Sequence, residues 1–376
     1  MKDIFIFDEQ RTPVAPAGGA LAEVLPSRLV GTLLRDIATR IPGDALDALI
    51  LGGDGAHETP RHALATAGLT ARMGAWQLQH GGVSSMAALR QAAQGVAAGD
   101  LGLVIAGGYQ LAASQRMACA LDMLIDVAHP VLTTRAAADM VAQRHGVIGE
   151  TLDAWVERSS EALGAAHLVD TPHAVHDING LVILAQDQVD TTIRPDDDDP
   201  DNVAAVAAIH LNPDLPAPPR RHHATHLASA VDGACLLVLG SADVAARHGL
   251  APRAKLCASA AVAEGAAVGP AAVLTAVQRA LQQAGWTASE LDHLEIHDAV
   301  AVAAPLASTA LGVPLDRVNT LGGALVRGDL GAAAGAACLA RLVLALERSN
   351  TRRGVAAIAD AAGHAIAIAV ERRATA

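Results

Sequence analysis

Aromatic side chains are almost missing from this chain: three Trp, two Phe and one Tyr in 376 residues, although 52% of the residues are hydrophobic. Its core must therefore be built from Ala, Leu, Val and Ile, and small side chains allow helices and strands to approach closely. Cysteine is scarce too. The four cysteines, at 119, 235, 257 and 338, show no C-x-x-C pairing, which indicates buried reduced thiols and argues against both a disulfide framework and a zinc site. No apolar run reaches the roughly 18 residues needed to span a bilayer, and Met1-Lys2-Asp3-Ile4 lacks a secretory signal pattern. The expectation is a cytoplasmic protein without a membrane partner. Basic residues are outnumbered, 27 against 39 acidic, and a net charge of -12 argues against a general nucleic-acid surface, which needs clustered Lys and Arg.

The length suggests two or three packed units. A strand-like run from Asp3 to Asp8 is followed by a helical pattern over Ser27 to Ile41 and a second strand at Ala48 to Leu51. Ala75 to Gln79 reads as a strand, His80-Gly81-Gly82 as a turn, Ser84 to Ala98 as an Ala-rich helix, and Leu101 to Ala106 as a buried strand. A second copy begins near Arg253: strand at Ala254 to Ala258, helix at Pro270 to Ala284, strand at His293 to His297. It continues through Arg327-Gly328-Asp329 into a helix over Ala332 to Leu346 and a strand at Val355 to Ala359. Leu51 and Gly82 are separated by 31 positions, Ile296 and Asp329 by 33. This repetition predicts a duplicated α/β unit. Residues 1–113 and 227–252 are expected to form the N-terminal half and residues 253–376 the C-terminal half. Residues 114–226, helical around Arg135 to Gly164 and then acidic and Pro-rich, form an inserted loop domain.

The sequence resembles the thiolase superfamily over nearly its whole length. Arg11-Thr12-Pro13, Pro60-Arg61-His62-Ala63, Ala106-Gly107-Gly108 and Glu295-Ile296-His297-Asp298-Ala299 carry the likeness. The resemblance implies a thiolase-like α/β fold, a duplicated five-layer α-β-α-β-α stack, and a dimer formed through the edge strand at Ala75 to Gln79.

The family's catalytic positions are altered. Its nucleophilic cysteine corresponds to Gly82, its activating histidine to Asp329, and its second cysteine to Ala359, while His297 stands where many thiolases have Asn. A carboxylate is a poor acceptor of a thiol proton. Ser84 and Ser85 read as helix N-cap residues rather than replacement nucleophiles. The resemblance also implies weakened coenzyme A contacts, since Asn212 and Ala228 occupy positions of the family's binding stretches; Arg220 and Arg221 are weak substitutes that read as solvated loop residues. His80, His297, Asp298, Asp329, Asp360 and His364 remain as acid-base candidates, read first as residues that pair with one another. No metal spacing supports a metal site, and the His222-His223-x-x-His226 cluster reads as exposed loop.

Two function classes follow. One is a noncatalytic subunit of an acyl-CoA-handling complex, a homodimer or a heteromer with an intact thiolase-type subunit. The other is an acyl-thioester enzyme, an acetyl-CoA acetyltransferase by family, working through repurposed His and Asp residues. No bound cofactor is expected; coenzyme A or acyl-CoA is the ligand that the resemblance suggests.

Overall fold

The computed structural model describes residues 2–55, 58–69, 73–111, 134–166, 172–177, 179–188, 221–265 and 268–373. Strands β1 (Ile4–Arg11), β3 (Ala48–Gly52), β4 (Gly74–Leu78), β5 (Leu103–Gln110) and β8 (Val231–Ser241) form the sheet of the first half, with β2 (Ala15–Pro16) attached to β8, while β6 (Val175–His176) and β7 (Val182–Leu184) pair separately. In the second half, β9 (Ala254–Ala263), β10 (His293–Ile296), β11 (Arg353–Ala359) and β12 (His364–Arg372) form the counterpart. The orders correspond: β4-β3-β5-β8-β1 on one side, and a bridge at Val318 followed by β10-β11-β12-β9 on the other. In each half the parallel pairs lie at the outer end and the antiparallel pairs at the inner end. The halves are joined where Ile4–Ile6 of β1 pairs with Ala254–Leu256 of β9.

Three hydrophobic clusters define five layers. On the outside of the first sheet, α1 (Pro26–Arg40) buries Leu29, Val30, Leu33, Leu34 and Ile37 against Phe5, Leu49 and Leu236, with α2 (Thr59–Ala67) and α6 (Ala242–Arg247) adding to the same cluster; the short α9 (Ala324–Arg327) precedes the loop of Asp329. Pro26 opens this helix, where a missing amide costs nothing. Between the sheets lie α3 (Ser84–Ala98) and its counterpart α10 (Ala334–Arg348), packed on Ile50 and Val104 on one side and on Ile358 and Ile368 on the other. Beyond the second sheet, α7 (Ala272–Ala284) and α8 (Ala303–Leu311) cover Leu294, Ile296 and Ala367. The scarcity of rings pays for itself at the middle layer: a Cβ added to Gly335 of α10 would sit 2.8 Å from the backbone nitrogen of Met86 in α3. Only glycine permits that crossing.

Several boundaries differ from the sequence expectation. The helical stretch around Arg135 to Gly164 is two helices, α4 (Thr134–Arg144) and α5 (Gly149–Ala166), separated at Gly146 with φ +66°. Their side chains Ala138, Val141, Leu152 and Trp155 enter the outer core of the second half. Residues 112–133 and 189–220, which carry much of the expected insert, lie outside the described residues. Strand β12 and helix α8 had no sequence-level assignment. Among the described residues, no helix is long and apolar enough to cross a membrane.

Candidate functional site

The turn before α3 is built by a serine. Ser84 Oγ accepts the His80 backbone N–H at 2.8 Å and donates to the Gly81 carbonyl at 2.6 Å, while Gly81 takes φ +53°. Neither Ser84 nor Ser85 caps the helix as expected: the N-cap is Val83 and no side chain caps it. Ser85 Oγ instead accepts the Ala336 N–H at 3.0 Å, tying α3 to α10. Both serines are completely buried, which removes them as nucleophiles.

Gly82 has ordinary negative φ, and a Cβ built there would meet only Asp360 Cβ, at 3.7 Å. The turn that joins β11 to β12 therefore faces the turn that precedes α3. Asp360 accepts the His364 backbone N–H at 2.9 Å and contacts His364 Nδ1 at 3.1 Å. The His364 ring lies edge-on to His80, with centroids 5.0 Å apart. Three of the expected candidates, His80, Asp360 and His364, thus surround Gly82, and Ala359 ends the strand just before them.

His297 and Asp329 form a second pair, Nε2 to Oδ1 at 3.2 Å. Asp329 Oδ1 also accepts the Gly331 N–H at 2.8 Å. Burial pushes the Asp329 carboxyl upward, but the His297 charge and hydrogen bond together with the Gly331 amide outweigh it and hold the group below its ordinary value. A carboxylate held ionised in this way is an electrostatic partner rather than a proton acceptor. His297 Nδ1 is buried without a hydrogen-bond partner, a position for a hydrogen bond with a ligand or water.

Asp298 does not join these pairs. It is fully buried, accepts Trp155 Nε1–H at 3.0 Å and is approached by the Leu325 N–H at 3.3 Å. Desolvation raises its pKa, opposed by Trp155 and by the His297 and Arg341 charges. Its position is structural, anchoring the insert to the second half. The coenzyme A candidates fare similarly. Arg220 and Asn212 lie outside the described residues. Arg221 is not a solvated loop residue: it donates to the Val147 carbonyl at 3.1 Å and its backbone N–H to Asp139. Ala228 donates its N–H to Ala299 at 2.8 Å, beside His297 and Asp298.

The histidine cluster corrects another expectation. His222 and His226 are fully buried, and only His223 is exposed. His222 Nδ1 meets Asp139 at 2.8 Å, and His226 Nε2 meets Asp153 at 2.8 Å. These acidic partners lie far away in sequence, so spacing gave no signal for them. Among the described residues no group of three His, Cys, Asp or Glu side chains could hold a metal ion. The described thiols are engaged elsewhere: Cys338 points at the Glu295 and Ala357 carbonyls, Cys235 is buried in β8, and burial pushes Cys257 of β9 to about 11.

Comparison with known proteins agrees with this architecture. Residues 4–169 match the family model "Thiolase, N-terminal domain" and residues 250–372 match "Thiolase, C-terminal domain". The beta-ketoadipyl-CoA thiolase of Pseudomonas aeruginosa is 28% identical, over 99% of both chains. The acetyl-CoA acetyltransferase of Allochromatium vinosum is 26% identical, again over 99% of each. The crystal structure of the Bacillus anthracis acetyl-CoA acetyltransferase superposes with a TM-score of 0.83 and 22% identity, covering 99% of both chains, a likeness of fold.

Proposed function

The chain belongs to the thiolase superfamily, and on that premise we propose that it handles acyl-CoA compounds without forming an acyl-cysteine. One observation carries this reading. At the head of α3, where an amide-rich helix terminus would stabilise a thiolate, stands Gly82, with room for a side chain and none present. The groups around it are a half-exposed histidine, a carboxylate and a second histidine, none of which is a soft nucleophile. Asp329, held ionised by His297, cannot take the proton of an attacking thiol. On this reading the protein is a noncatalytic member of an acyl-CoA-handling complex, associating as a homodimer or with an intact thiolase-type subunit, and binding coenzyme A thioesters weakly.

A second reading rests on the His364–Asp360 pair, which remains open to solvent and could move a proton to or from an acyl thioester bound over Gly82. The two readings separate in one experiment. Purified protein free of host thiolase is assayed for thiolysis of acetoacetyl-CoA and for condensation of acetyl-CoA, with and without iodoacetamide, and proteins that co-purify are identified. No turnover with a thiolase-type subunit in the eluate supports the first reading. Turnover that survives iodoacetamide and falls in His364→Ala supports the second. Turnover that iodoacetamide abolishes would overturn both and point to a cysteine nucleophile, with Cys119, which lies outside the described residues, the first to replace.

A further inference from the structure

Away from Gly82 the molecule contains a cavity of about 260 Å³ between β1, β8 and α10, closed on one side by the loop that carries Asp329. Its origin is topological. β1 pairs with β9 only through Ile4–Ile6, so the two sheets part beyond that point, and beside Arg341 and Leu344 α10 sets only the small side chains of Ala337 and Ala340 against the gap. The insert supplies a roof: Asp187 makes a two-pronged ion pair with Arg11, at 2.7 and 2.9 Å, and accepts the Val14 N–H at 3.0 Å. His173 donates its backbone N–H to the Arg11 carbonyl at 2.8 Å.

Arg341 lies on the α10 wall. Its side chain is only 11% exposed, and its Nε donates to Glu295 at 2.7 Å. Among the described residues that is its one hydrogen bond, so the two Nη groups present their N–H donors to the cavity. Burial disfavours the charge, but Glu295 holds the guanidinium cationic. The Arg327 charge also acts on Glu295, and Arg327 lines the same cavity. A second carboxylate placed against Arg341 would therefore feel two cations. The carboxylates that line the cavity are already paired, Glu9 with Arg253 at 2.9 Å and Asp187 with Arg11 at 2.7 Å, and Val14, Leu330, Ala340 and Leu344 give one apolar stretch of wall.

We propose that this cavity binds a short-chain carboxylic acid, its carboxylate held by the Nη edge of Arg341 and its hydrocarbon tail lying against Val14, Leu330 and Ala340. A guanidinium offers a planar fork to carboxylate, and the apolar stretch of wall beside it favours a short alkyl chain over a hydrated inorganic anion. Because Gly328 and Leu330 of the wall flank Asp329, an occupant rests on the loop whose other face holds the His297 pair. The site is separate from Gly82 and does not depend on which reading of that site holds.

Butyrate is the probe, with butan-1-ol as its uncharged counterpart, titrated into the full-length protein by saturation-transfer NMR. Saturable binding of butyrate at least ~10-fold tighter than butan-1-ol is expected, a difference of ~1.4 kcal/mol. Ala340→Phe fills the cavity without touching the ion pair, and Arg341→Lys keeps the charge beside Glu295 while losing the fork; each should weaken butyrate by at least ~10-fold. Circular dichroism establishes that both variants are folded. No saturation of wild type by ~100 mM butyrate, equal binding of the alcohol, or unchanged affinity in folded Ala340→Phe or Arg341→Lys would overturn the proposal.

Discussion

His297 Nε2 lies 3.2 Å from Asp329 Oδ1, joining the end of β10 to the loop before α10. The resemblance aligns Asp329 with a thiolase's base, and here its carboxylate is engaged with the His297 ring and the Gly331 amide. What remains beside Gly82 is a different pair, His364 and Asp360, and the expected consequences follow from these two relationships.

Restoring a thiol should not restore activity. Gly82→Cys is expected to fold, because the nearest atom to the new Cβ is 3.7 Å away. The like-charge neighbour of its thiolate is Asp360 rather than Asp329, since Asp360 faces the turn directly. The head of α3 lowers the pKa of that thiol and Asp360 raises it, so Gly82→Cys should be alkylated by iodoacetamide at a higher pH than Gly82→Cys combined with Asp360→Asn, with no detectable thiolysis. Gly82→Cys, Asp329→His and Ala359→Cys together are the fairer revival, because such groups act as a unit. An alkylation midpoint unmoved by Asp360→Asn would contradict the placement of Asp360.

Acid should loosen the insert before it unfolds the halves. His226 Nδ1 accepts the His223 N–H at 3.1 Å, so the neutral ring donates from Nε2 to Asp153. Burial lowers its pKa, Asp153 partly opposes this, and the His222 and His223 charges reinforce it. The unfolded chain therefore takes up this proton more readily, and stability present above about pH 6.5 is lost as pH falls through the lowered native value. Melting temperature should drop between about pH 7.5 and about pH 5, with amide exchange rising first over residues 149–166 and 221–227. His226→Gln should flatten the slope, leaving the part due to His293, whose pKa burial also lowers. An unchanged slope would rule His226 out as the sensor.

Trp155→Phe should cost about 1–3 kcal/mol in urea unfolding, because it removes a donor from a fully buried carboxylate. Adding Asp298→Asn should recover part of the loss by removing the charge. Equal stability of Trp155→Phe and wild type would mean that Asp298 is already protonated and indifferent to the indole.

Association should run through β4. It pairs with β3 alone, and Gly74–Leu78 leaves its other edge unpaired among the described residues. An open edge invites strand addition, and twofold pairing would close it. Light scattering at micromolar concentration should give a dimer mass, or a heteromer when an intact thiolase-type subunit is present; a persistent monomer in both settings would refute the edge as an interface.

Much of the fold was legible because it depends on local periods. The helix at Ser84 to Ala98 and the strands at Ala48 and Val355 follow from spacing alone, and the near-equal intervals to Gly82 and Asp329 announced the duplication. Strand β12 escaped because His364-Ala-Ile-Ala-Ile-Ala-Val alternates Ala with larger apolar residues and is buried on both faces, so no polar alternation marks it. The short helix over Ala303–Leu311 escaped because its burial runs almost all round, leaving no amphipathic stripe.

The sequence by itself determined that Gly82, Asp329 and Ala359, the positions that the resemblance aligns with the thiolase residues, carry neither sulfur nor imidazole, a fact that folding cannot reverse. Tertiary structure alone decided which remaining groups meet. Asp298 was drawn away to Trp155, 143 residues distant, His222 and His226 found Asp139 and Asp153, 83 and 73 residues away, and the two sheets parted to leave Arg341 facing a cavity. Such pairings are set by how layers of small side chains stack and where they fail to fill space, and no local spacing in the chain encodes that.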